Sequence, residues 1–162
     1  QQMLEMMLTA SAIGVIIANS ATLSGAAGGC QAEVGSATAM AAAALTEVRG
    51  KTPEMSLHAA SLALKNMIGL ACDPIGGLVE VPCIKRNGIG AVFSMAASDM
   101  AVMGIESFVP FDEVVRAMRE VGDLMSPKIR ETALGGLAMT PTGQAVSARM
   151  GLLKIGENPC AK

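Results

Sequence analysis

Apolar residues run almost without a break from Met3 to about Asn19, and no charge occurs between Met6 and Ala32. This pattern reads as a first helix, buried and apolar on most of its faces. Ser20 to Gly29 is mostly small residues and reads as a loop. An alanine-rich segment from Glu33 to about Val48 predicts a second helix, stopped by Gly50 and Pro53. Thr52 stands as N-cap of a third, with Pro53 at its first position, running to about Leu70. Within it His58, Leu62 and Lys65 are spaced to share one side. Asp73 to Pro82 contains Pro74, Gly76, Gly77 and Pro82, which cannot all lie in a regular helix. Helix resumes from about Ile84 to Gly104. After Pro110, the positions Val114, Val115, Met118, Val121 and Met125 form one stripe, with Glu113, Arg116 and Arg119 off it on a solvated face. Pro127 opens a short further helix ending near Gly135 and Gly136, and the tail with Pro141, Gly143 and Pro159 is expected to be the least ordered part. No repeat and no linker divides the chain, which is read as one domain over residues 1–162.

Composition sharpens this to an all-α fold, a compact helical domain whose Gly/Pro-rich loops carry the cysteines. Aromatics are 2% of residues, with no Trp or Tyr, while Ala, Met and Leu abound; sheets favour the opposite balance. The 13 methionines are expected as core filler. The uncharged stretch is long enough to span a bilayer. Yet Asn19, Ser20, Thr22 and Ser24 interrupt it, and neither flank has the basic or aromatic residues of an interface. A core helix running into a glycine-rich loop is expected instead of a span. A net charge of −2 and the lack of a basic, aromatic-interleaved cluster argue against nucleic acid. No secretory pattern precedes the first helix, so a cytoplasmic location is expected. The chain opens at Gln1 already in helical pattern, as a piece or a processed product would.

The candidate chemistry lies in the cysteines: Cys30, Cys72, Cys83 and Cys160. Buried free thiols are the plain reading, since Cys packs as a small hydrophobe. The surroundings favour another. Cys30 follows Gly28-Gly29, and Cys72 and Cys83 bracket a run holding Pro74, Gly76, Gly77 and Pro82. Backbone N–H groups left free at such breaks stabilise thiolates and cluster sulfides. Glycines also let backbone approach a bulky inorganic group. No pair has the Cys-x-x-Cys spacing of zinc ribbons, nor is there the compact run of ferredoxins. Ligands this distant leave the fold to assemble the site, with sulfurs expected within roughly 6–7 Å of one another around a four-iron cube.

Longer motifs then become recognisable. Gly29-Cys30-Gln31-Ala32-Glu33-Val34-Gly35-Ser36-Ala37 resembles the first cluster motif of the iron–sulfur L-serine dehydratases. Cys72-Asp73-Pro74-Ile75-Gly76-Gly77, continuing to Val81-Pro82-Cys83-Ile84-Lys85-Arg86-Asn87, resembles their second and third. Glu131-Thr132 with Gly135-Gly136-Leu137-Ala138-Met139 is similar to their C-terminal motif. The resemblance implies a [4Fe–4S] cluster on Cys30, Cys72 and Cys83, with one iron open to substrate. It implies dehydration of L-serine, the hydroxyl leaving through that iron, to give pyruvate and ammonia without pyridoxal phosphate. It further implies that the chain is the C-terminal part of an α portion that works with a β chain or β domain, and that this piece alone is inactive. A homo-oligomer is expected as well. A non-catalytic iron–sulfur or metal-binding module is the alternative reading, and a membrane or packing subunit a more distant one.

Single residues follow from these motifs. Arg86 and Asn87 are candidate substrate-binding residues, the first for a carboxylate and the second for that group or the amine, against a plain role as helix-start charge and cap. His58, the sole histidine, is read as a helix-face residue rather than a general base, and the catalytic base stays unassigned. Glu33 and Glu80 are read as ordinary helix-start and loop carboxylates, and Asp73 as a turn former. Cys160 lies far beyond Met139, followed by Ala161 and Lys162, whereas in some relatives a cysteine close behind that motif is thought to cap the open iron. Cys160 is therefore expected to be dispensable for cluster assembly. Cys160→Ser in the complete protein should leave iron per chain unchanged, and loss of a cluster's worth of iron would make Cys160 a ligand.

Overall fold

The computed structural model describes residues 1–152, and among these the fold is all-α with seven α-helices. They are α1 (Gln2–Ser20), α2 (Gly25–Gly28), α3 (Ser36–Glu47), α4 (Pro53–Lys65), α5 (Cys83–Val102), α6 (Phe111–Leu124) and α7 (Pro141–Arg149). A π-helical turn, Gln31–Gly35, runs directly into α3. Short 3-10 turns occur at Ile75–Gly77, Pro127–Ile129 and Gly136–Met139. Cys160 lies outside the described residues.

The centre is α3 against α4, with α5 packed on both, α6 on α4 and α1 on α3. The facing surfaces are largely alanine: Ala39, Ala42 and Ala43 on α3, Ala59, Ala60 and Ala63 on α4, Ala97 and Ala101 on α5. Side chains this small bring helix axes close, so backbone-to-backbone dispersion takes the place of large interdigitating residues. Bulk enters from Leu62 and Leu64 and from the α6 stripe, where Val114, Val115 and Met118 are buried as the spacing predicts. A polar stitch joins α3 to α5. Thr46 Oγ1 is 2.9 Å from Ser98 Oγ, and Arg49 Nη1 donates to Ser98 Oγ at 3.2 Å and to Asp99 Oδ1 at 2.6 Å.

Local signals work where capping chemistry is at hand. Thr52 Oγ1 accepts from the Met55 amide at 3.4 Å, with Pro53 opening α4. His58 and Lys65 do share a side: Nδ1 of His58 accepts from the Ser107 amide at 3.3 Å, and Lys65 Nζ donates to the Ser107 carbonyl at 2.9 Å. The tail departs from expectation. Pro141 and Gly143 belong to α7, because Thr140 Oγ1 caps the Gly143 amide at 3.1 Å and proline fits the first helical position. Pro127, by contrast, opens only a single 3-10 turn.

Two expectations about burial fail. The first helix exists, but it is not a core helix: only Ile13, Gly14 and Ile17 are buried, while Met3 is 78% and Leu4 63% exposed. A helix apolar on most faces carries no pattern to show which face packs. The face that packs holds Ile13, Gly14 and Ile17, and Gly14 leaves room for Met40, whose Cε lies 3.1 Å from where a Cβ would stand. Among the described residues, α1 is the one helix long and apolar enough to cross a membrane by length and composition. The methionines also divide. Met67, Met118 and Met125 fill the interior, whereas Met3, Met7, Met95, Met103 and Met150 are exposed.

The alanine interface predicts a size-sensitive core. Ala43→Leu should cost about 1–3 kcal/mol by overpacking, and Leu64→Ala about 2–5 kcal/mol by leaving a cavity. Urea unfolding followed by helical circular dichroism checks both, and an unchanged midpoint for Ala43→Leu would contradict the close packing.

Candidate metal centre

Cys30, Cys72 and Cys83 come from three separate segments, and each is placed by backbone chemistry. Cys30 opens the π-helical turn and follows Gly29, whose φ of +77° favours glycine. A Cβ at Gly29 would also stand 2.7 Å from Met125 Sδ and 2.9 Å from the Leu70 carbonyl, so only glycine lets these segments meet. Gln31 secures the position. Fully buried, it donates from Nε2 to the Met118 carbonyl at 2.9 Å and accepts the Gly69 amide on Oε1 at 2.9 Å, while its own amide donates to the Leu70 carbonyl at 3.0 Å.

Cys72 pairs with the chain after Pro127. Its amide donates to the Ile129 carbonyl at 2.9 Å, and its carbonyl accepts from the Glu131 amide at 2.7 Å, forming an isolated parallel bridge with Arg130. Directly beyond, Glu131 and Ala133 take φ of +65° and +55°, a costly bend for residues with a Cβ. Cys83 is the first residue of α5, behind the cis peptide Val81-Pro82. The Ile75 amide donates to the Val81 carbonyl at 3.0 Å and closes the loop between the last two cysteines.

The three sulfurs lie within 4.8 Å of one another, with Cys30 and Cys72 at 0% exposure and Cys83 at 7%. The expected convergence is met. Arg86, one turn into α5, joins them. Its Nη1 is 2.7 Å from the Ala71 carbonyl, 2.8 Å from Asp73 Oδ1 and 3.7 Å from Cys30 Sγ. Asn87 turns elsewhere, donating from Nδ2 to the Cys83 carbonyl at 3.0 Å. Glu33 and Glu80 are exposed. His58 lines an apolar hollow of about 420 Å³ with Ile16, Leu57, Phe108 and Phe111, and none of these residues belongs to the thiol site.

Charge in the site is uneven. The Cys30 thiol falls from 9.0 to about 7, because Cys72 donates a hydrogen bond to its thiolate and the Arg86 guanidinium adds attraction, against an opposing effect of burial. Cys72, as the donor in that bond and buried besides, is pushed up. Burial first and the nearby Cys30 charge second push Cys83 up. Burial works against the Arg86 cation, yet Asp73 holds it above its ordinary range. Glu131 is raised by burial and by Glu33 beside it.

Sequence reasoning singled out the three thiols that the fold brings together and Arg86, read there as a substrate-binding candidate, but missed Gln31 and undervalued Asp73. Asp73 is no mere turn former, since its two oxygens engage Arg86 and the distant Leu137 amide. A buried glutamine gives no signal in a hydrophobic pattern, because it is written as a polar residue. The one available hint was its place directly after Cys30.

In class, this is an all-α domain with three converging thiols able to hold a metal ion or a metal cluster. The chain belongs to the serine dehydratase alpha chain family, whose model matches residues 1–138. It is 55% identical over 150 residues to the probable L-serine dehydratase alpha chain of Bacillus subtilis (strain 168), covering 93% of this chain and 50% of that protein. Identity is also 55% over 150 residues to the L-serine dehydratase alpha chain of Peptoniphilus asaccharolyticus, covering 93% and 51%. To the L-serine dehydratase of Streptomyces coelicolor (strain ATCC BAA-471 / A3(2) / M145) it is 50% over 134 residues, covering 82% and 30%. The chain thus spans about half the length of the curated alpha chains from Bacillus subtilis and Peptoniphilus asaccharolyticus.

The uneven thiols predict a stepwise titration. In metal-free protein one thiolate should form near pH 7 and the other two only above pH 9.0, seen as far-ultraviolet thiolate absorbance, and Cys30→Ser should remove the first step. Because the folded-state value of Cys30 lies below 9.0, its contribution to stability is full above that pH and is lost as pH falls through about 7. Three thiols titrating together near 9.0 would contradict the assignment.

Proposed function

We propose that this chain is the cluster-holding part of an L-serine dehydratase, a lyase that converts L-serine to pyruvate and ammonia. The observation that carries the reading is the meeting of three cysteines, far apart in sequence, within 4.8 Å in a buried site. The donor set is all sulfur, which suits a thiophilic centre over a hard oxygen-ligated cation. Thiolates of Cys30, Cys72 and Cys83 would hold a [4Fe–4S] cluster. When bound, such a cluster offers an iron without a protein thiolate, a Lewis acid that makes the substrate hydroxyl a better leaving group.

The chain's own residues supply the setting. The Arg86 cation offsets thiolate charge and donates toward the Cys30 sulfur. Arg86 and Asn87 occupy the first turns of α5, and in this reading they orient the carboxylate and amine of serine. Burial of the sulfurs keeps bulk water from the ligands. No pyridoxal phosphate takes part. The remaining part of the alpha chain and a β chain or domain complete the enzyme, and cytoplasmic reducing conditions keep the thiols free. The family name of the relatives, together with the site, supports an enzyme over a bare metal-binding module.

The complete enzyme, reconstituted anaerobically with iron and sulfide, should form pyruvate and ammonia from L-serine and lose activity in air. Cys72→Ala or Cys83→Ala should remove both the visible absorbance and turnover. Arg86→Lys, which loses the forked donor geometry, should lower kcat/KM roughly ten- to a hundredfold, the scale of one charged hydrogen bond. Full activity in iron-free protein, or dependence on added pyridoxal phosphate, would refute the reading.

A further inference from the structure

We propose that Asp73 is the positioning residue of the thiol site: one carboxylate holds the Arg86 guanidinium against Cys30 and, through its other oxygen, latches the Gly136–Met139 turn onto the loop that carries Cys72. This deepens the proposed cluster reading and rests on it for the role of Arg86; the latch itself stands on geometry alone.

Asp73 is 5% exposed, so its charge is costly unless both oxygens find strong donors. They do. Oδ1 takes Arg86 Nη1 at 2.8 Å, and Oδ2 takes the Leu137 amide at 2.7 Å from 64 residues away. Both partners lie outside the loop that carries Asp73. Arg86 in turn needs Asp73. Its side chain is 20% exposed and faces the Ala71 carbonyl and the Cys30 sulfur, a setting that would otherwise strand a partly desolvated cation. With the carboxylate in place, the same nitrogen that meets Asp73 also points a donor at Cys30 Sγ at 3.7 Å. Asp73 therefore acts on Cys30 through Arg86.

The other half of the device is steric. Gly136 has φ of +59°, and a Cβ there would run into the Asp73 carboxylate. Glycine at 136 is thus required twice, by its backbone conformation and by the approach of Asp73. The Cys72 loop, the start of α5 and the Gly136–Met139 turn meet at this one side chain.

The full-length protein carrying Asp73→Asn, Arg86→Gln, both together, or Gly136→Ala tests this. Far-ultraviolet circular dichroism reports folding. In iron-free protein, hydrogen exchange of a peptide spanning 134–140 should speed several-fold in Asp73→Asn and in Gly136→Ala, and stay near wild type in Arg86→Gln. After anaerobic reconstitution, Asp73→Asn should alter the visible circular dichroism of the sulfur-to-iron bands and bleach several-fold faster in air. In the Arg86→Gln background it should add nothing further to either. Should Asp73→Asn not fold, Gly136→Ala still decides the latch: unchanged exchange there overturns it. Wild-type exchange and bleaching in a folded Asp73→Asn, or an undiminished effect of that change beside Arg86→Gln, overturns the positioning role. A wild-type protein that takes up no iron removes the cluster reading and the Arg86 half with it, and leaves the exchange result to judge the latch.

Discussion

The seating of Cys30 beside the other two thiols depends on the buried amide of Gln31. Its side chain spans the Met118 carbonyl and the Gly69 amide, and its backbone amide meets the Leu70 carbonyl. One residue therefore fastens the turn that bears Cys30 to α6 on one side and to the approach to Cys72 on the other. An amide does this because it has a donor and an acceptor on one planar group. An apolar replacement would forfeit both side-chain hydrogen bonds, each worth about 0.5–1.5 kcal/mol. Gly122, where a Cβ would stand 3.1 Å from Gln31 Nε2, keeps the space open.

The helical scaffold supplies rigidity by thin packing. Alanine faces on α3, α4 and α5 let backbones approach closely, and a close-packed interior transmits small displacements. The site sits where this bundle ends and loops begin, at the start of α5 and just before α3. Cys30, Val34, Cys72 and Cys83 form a small buried cluster of their own, separate from the main core, with Leu70 packed against it. Chemistry and stability are thus held by different sets of contacts. Meanwhile α1 contributes one stripe and leaves Met3, Leu4, Met7 and Leu8 exposed.

Electrostatics gives the three thiols unequal characters although their residue type is the same. Three thiolates cannot crowd within 4.8 Å without strong repulsion. The ionised form concentrates on Cys30, which has both the Cys72 hydrogen bond and the Arg86 cation. Arg86 would not remain there by itself, since burial disfavours it, and the Asp73 carboxylate reverses that balance. The charge order runs inward from Asp73 to Arg86 to Cys30.

The all-α fold, the α6 stripe and the cap at Thr52 were legible in the sequence because each arises within a few residues, from helix periodicity or from one side chain meeting a nearby amide. The three cysteines were legible too, through the glycines and prolines beside them and the motifs they resemble. What periodicity could not reach was the facing of α1, for a helix apolar on most sides has no preferred side until a partner exists. Nor could it reach Gln31, Asp73 or the contact of Asp73 with Leu137. Those residues are polar, their partners lie far along the chain, and their burial is a property of the assembled fold. Sequence alone determined the five long helices α1, α3, α4, α5 and α6 and which atoms are soft enough to bind metal. Tertiary structure decided which polar groups leave water, because only long-range packing brings them the partners that make burial tolerable.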